Sequence, residues 1–155
     1  MEDYFAEQEK AKAEARRTEK IRTYQNQIFL LNNQMDDLNM EILKLQKEIE
    51  RLQNYEADRK RAWMGFQNEY EERQQKLQGI QNFISFSLSA ERYHMGMQED
   101  INGNSMCHVM SAVENTFSEI IQSIQEREER IQNLQHQLGN MENQVSQLYY
   151  LIALA

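Results

Sequence analysis

The sequence contains no proline and only five glycines in 155 residues. Proline removes a helix hydrogen bond and clashes with the preceding turn, so its absence permits very long helices. A single cysteine, Cys107, excludes an internal disulfide. It reads as a small buried apolar residue on a helix, since a reactive thiol needs an electropositive neighbourhood. No stretch approaches the roughly 18 apolar residues of a membrane span, so no direct span is expected. The apolar segment 148–155, with Tyr149 and Tyr150, is too short for lipid and is expected to pack on another helix. Residues 1–22 are charged and lack the apolar core of a secretory signal. A net charge of −8 argues against nucleic acid, whose phosphates demand a basic face.

What the sequence does have is a seven-residue apolar rhythm in two stretches. The first reads Ile21, Tyr24, Ile28, Leu31, Met35, Leu38, Ile42, Leu45, Ile49, Leu52. The second runs from Met106, Met110, Val113, Phe117 and Ile120 through Ile131, Leu134 and Leu138 to Leu148 and Ile152. Spacing alternates three and four, and Arg127 alone is not apolar. Such a stripe faces a partner helix and imposes a left-handed supercoil. Arg127 either meets an acid across the seam or packs its stem while its head reaches water.

Glu56 and Arg59 interrupt the first stripe, which resumes in register with Trp63, Phe66, Tyr70, Leu77, Ile80 and Ile84. Gly65 marks either a turn or a mid-helix position, in which case the helix continues to about Leu88. A stronger break is expected at 101–105, where Ser105 can cap the helix that follows, and a softer one at 85–89. The expectation is one elongated all-α unit over 1–155, an antiparallel helical hairpin or a three-helix coiled-coil bundle. Its long first helix covers 1–62, its middle helix 66–101 and its last helix 105–155. Phe29, Leu30, Met40 and Leu43 lie off the stripe. Phe29 and Leu43 share one edge, which is either a pair of exposed residues or a wider face touching a second helix. Many flanking positions, Gln27, Gln34 and Gln144 among them, carry amides where charges usually select partners.

Catalytic chemistry is not expected. His94, His108 and His136 are dispersed, and no zinc spacing or glycine-rich phosphate loop occurs. Ser105, Cys107 and His108 are near in sequence, but adjacent helical positions point apart. The expectation is a non-enzymatic protein with no catalytic residue, no metal and no cofactor.

Trp63-Met64-Gly65 between two amphipathic stretches resembles the Trp-x-Gly motif of WXG100 proteins of type VII secretion. In that family the motif makes the turn of a helical hairpin, and the tryptophan packs near a groove read by a secretion partner. Over roughly 21–152 the chain more closely resembles the small helical, YwqH-like proteins encoded beside LXG toxins in Firmicutes. That resemblance implies a chaperone or targeting factor. It would bind the N-terminal helical domain of an LXG toxin, together with a second small helical protein. It implies a cytoplasmic location, with export alongside the partner left open. Trp63 and Gly65 would face the partner. The aromatic positions Phe66 and Tyr70, the edge residues Phe29 and Leu43, and Tyr149 and Tyr150 are the further candidates. The family's export signal, Tyr-x-x-x-Asp/Glu or a Phe variant after the hairpin, is not matched: Tyr93 is followed by Met97 and Phe117 by Ile121, while Phe5 and Glu9 fit by letter but precede the first seam. The signal would then come from the companion or the toxin. The other readings are a structural coiled-coil scaffold, a homodimer included, and a coiled-coil stalk or chaperone of another secretion system.

Overall fold

A computed structural model describes residues 2–84 and 87–155. The chain is all-α. Helix α1 spans Glu2–Gln81, α2 spans Leu88–Asn102 and α3 spans Asn104–Leu154. The helices contribute to two compact units, unit 1 formed by Met1–Lys47 with Arg127–Ala155 and unit 2 by Glu48–Glu126.

The expected division at 62–66 does not occur. Helix α1 continues through Trp63, Met64 and Gly65 to Gln81. The physical reason is local. A lone helical glycine costs about 1 kcal/mol, whereas a turn would forfeit several backbone hydrogen bonds with no proline to enforce it. The separate helix expected over 66–101 is therefore replaced by the end of α1 and the 15-residue α2. The end of α1 tightens where Phe83 N–H donates to the Ile80 carbonyl at 2.9 Å.

The softer break expected at 85–89 falls partly on residues 85 and 86, outside the described residues. Ser87 sits in extended conformation and caps α2, its Oγ accepting from Ala90 N–H at 3.3 Å. Helix α2 ends at Gly103, whose N–H donates to the Glu99 carbonyl at 2.8 Å. The Gly103 carbonyl then accepts from Cys107 N–H at 3.2 Å and so opens α3. One residue thus closes one helix and begins the next, which leaves Ser105 inside α3 rather than at its cap. Glycine is needed here for space, not for dihedral freedom. A Cβ on Gly103 would lie 2.2 Å from the Glu99 carbonyl oxygen. Gly103→Ala is therefore expected to destabilise the bend by about 1–3 kcal/mol, the range of overpacking. A lowered thermal midpoint in circular dichroism checks this; an unchanged midpoint contradicts it.

In unit 1, Glu41 of α1 meets Arg130 of α3 at 3.1 Å, and Leu30 and Leu31 lie across from Leu148 and Leu151. The two segments therefore run in opposite directions. The ion pair is solvated and contributes no more than about 1 kcal/mol. Burial does the larger part. Every stripe residue from Ile21 to Leu52 and from Met106 to Ile152 is at least half-buried, Arg127 included. Among the described residues, however, only Ile28, Ile42, Leu77, Ile101, Ile120 and Leu134 are buried apolar residues. Eighteen large apolar side chains of the described residues remain exposed. A two-helix seam buries its central stripe and leaves its flanks open to water.

Candidate partner-binding grooves

In unit 2, three aromatics of α1 form a ladder at helical spacing. Trp63 stacks on Phe66 with ring centroids 5.1 Å apart and planes 18° from parallel. Phe66 in turn lies 6.4 Å from Tyr70 at 24°. The i, i+3 and i+4 offsets bring these rings onto one face, and such pairs add about 0.5–1.5 kcal/mol beyond burial. Four residues before Arg59, the Tyr55 ring lies under its guanidinium, 4.9 Å from carbon to centroid.

These residues form one wall of a groove of about 560 Å³. Tyr55, Arg59, Ala62, Trp63 and Phe66 line it from α1, and Val109, Ala112, Val113, Thr116 and Phe117 from α3. Tyr55 and Val109 are exposed at its rim. The groove lies on one flank of the seam only. The opposite flank carries Gln53, Lys60 and Gln67 on α1, and Cys107, Glu114 and Ile121 on α3, all exposed. Cys107 is thus not buried as expected, because it stands beside the stripe position Met106 and not on the seam. One side of the same helix pair is thus aromatic and aliphatic, and the other mostly polar.

A second groove, of about 390 Å³, lies within unit 1. Leu30, Leu31, Leu148 and Leu151 supply its apolar surface, bordered by Gln27, Gln34, Gln144 and Gln147. The amides that flank the stripe in sequence therefore edge an apolar channel. They can hydrogen-bond to an incoming backbone or side chain without selecting its charge.

The sequence candidates fall into three groups. Trp63 and Phe66 share the unit 2 groove. Tyr70 belongs to the same ladder, but its hydroxyl is engaged within the fold. It donates to Asn102 Oδ1 at 2.9 Å, and Gln74 Nε2 donates to both the Tyr70 oxygen, at 2.8 Å, and Asn102 Oδ1, at 2.6 Å. This network ties α1 to the end of α2. Gly65 is exposed inside α1, three residues after Ala62 on the same edge, with open space where a Cβ would stand. The turn that the Trp-x-Gly resemblance implies is absent at this tripeptide. Phe29, Leu43, Tyr149 and Tyr150 are exposed on unit 1 and are not among the residues lining either groove.

Sequence reasoning passed over Tyr55, Ala62, Val109 and Ala112 as groove residues. Each lies beside the stripe, not on it. Their signal is that Tyr55, Ala62 and Val109 each directly precede a stripe position, where a solvated flank would carry charge or amide. Comparison with family models, with curated proteins and with solved structures finds no match for this chain.

Proposed function

We propose that this chain is a non-enzymatic helix-binding protein, an antiparallel helical hairpin whose open flanks are completed by helices of a partner. The observation that supports this most is the one-sided groove of unit 2, where Trp63 and Phe66 stand half-buried beside small aliphatic residues. Aromatic anchors in a concave apolar surface are the usual centres of binding energy. Each apolar Å² removed from water contributes about 25 cal/mol, less the cost of association.

The partner class follows the sequence resemblance. It is the N-terminal helical domain of an LXG toxin, bound together with a second small helical protein and delivered to a type VII secretion machine from the cytoplasm. Such a domain would expose apolar stripes before export, and a protein with open apolar flanks could cover them. The mid-helix position of Trp63-Met64-Gly65 separates this chain from the turn of WXG100 proteins. The partner assignment therefore leans on the heptads and the long last helix more than on the tripeptide.

Co-expression of the chain with an LXG N-terminal helical domain, followed by size-exclusion chromatography, tests the reading. The expected result is co-elution as one species and better recovery of both chains than of either alone. A stable homodimer that elutes apart from the toxin domain would instead favour a self-associating scaffold.

A further inference from the structure

We propose that the unit 2 groove takes one amphipathic partner helix carrying a carboxylate that meets Arg59. This rests on the helix-binding reading above and adds the chemistry that the partner must present.

Of three consecutive cations on α1, Arg59, Lys60 and Arg61, Arg59 is the one that lines the groove. Lys60 pairs with Glu56 and Arg61 with Asp58. Arg59 alone of the three has no carboxylate partner among the described residues; its guanidinium rests over the Tyr55 ring within the groove wall. At an exposed site such a contact is a weak attraction. A helix docking over Tyr55 and Trp63 would remove water from the guanidinium. Desolvating a cation without an opposite charge is costly, whereas a paired one gives both affinity and choice of partner.

Small side chains line part of the groove. Ala62 and Ala112 are small, and Gly65 leaves the adjoining edge of α1 open, so a third helix can approach to the usual interaxial distance of about 8–10 Å. A second copy is a poorer occupant. A two-fold contact places the same patch on both sides, which sets Arg59 near its own equivalent and joins two chains of net charge −8.

Trp63 is the chain's only tryptophan, so its emission reports this groove alone. Four-heptad, tryptophan-free synthetic peptides with one leucine–alanine face would be titrated into the full chain, differing only in Glu, Gln or Lys at one flanking position. The Glu peptide is expected to shift Trp63 emission to the blue and to bind about tenfold tighter than the Lys peptide, the Gln peptide falling between. Arg59→Glu should invert that order and Arg59→Gln should flatten it, both with unchanged helicity. Equal binding of the Glu and Lys peptides would overturn the carboxylate preference while leaving toxin-domain co-elution intact. A Trp63 shift that follows the protein's own concentration, or none with any peptide, would overturn the assignment of the groove to a partner helix.

Discussion

Trp63→Ala is expected to weaken binding of the partner's helical domain by about 30-fold or more, the loss of at least 2 kcal/mol that marks a central anchor. Helicity should not fall with it. Trp63 lies deep inside the 80-residue α1, and alanine is the better helix former at such a site. What the substitution removes is the ring stacked on Phe66 and part of the apolar lining of the unit 2 groove. Isothermal titration with an LXG helical domain, alongside circular dichroism, separates the two effects. Parallel losses in binding and helicity would make Trp63 a packing residue of the seam and no more.

The second large effect concerns stability. Leu134 of α3 has no exposed surface, so Leu134→Ala should cost about 2–5 kcal/mol through lost transfer energy and a residual cavity. Leu43→Ala is the matched control. Leu43 is 55% exposed and off the seam, so its truncation should change stability by less than about 0.5 kcal/mol. Urea unfolding of both variants measures the contrast. Equal midpoints would mean that the seam of unit 1 is not closed around Leu134.

The two substitutions also show what the sequence makes legible. A period of 3.5 residues specifies which side of each helix is covered, and the stripe positions over 21–52 and 106–152 are covered, while Phe29, Leu30, Met40 and Leu43 off the stripe are exposed. Helix ends were harder to read. Gly65 carries the same letter as Gly103, yet only Gly103 sits where a Cβ would strike a carbonyl. The Asn-Gly-Asn-Ser run around Gly103 marks a break that Gly65 lacks, but the carbonyl contact itself depends on the backbone path around Glu99. The grooves were harder still. Tyr55 and Val109 become one surface only when α1 and α3 run in opposite directions in a fixed register. In unit 2 the contacts of Tyr70 and Gln74 with Asn102 join α1 to the end of α2, and in unit 1 Glu41–Arg130 joins α1 to α3. Periodicity alone is the same for several registers. The hydrogen bond of Tyr70 is not legible in the sequence for a related reason, because its hydroxyl partner lies 32 residues away.

Acrylamide quenching of Trp63 fluorescence, in the free chain and in its complex with an LXG helical domain, bears most directly on the idea that a partner helix fills the flank beside the seam. The free protein should quench readily, since Trp63 is only half-buried, and the complex should protect it several-fold. A complex that forms while Trp63 quenches as readily as before would show that the partner docks elsewhere and that the aromatic groove serves another purpose.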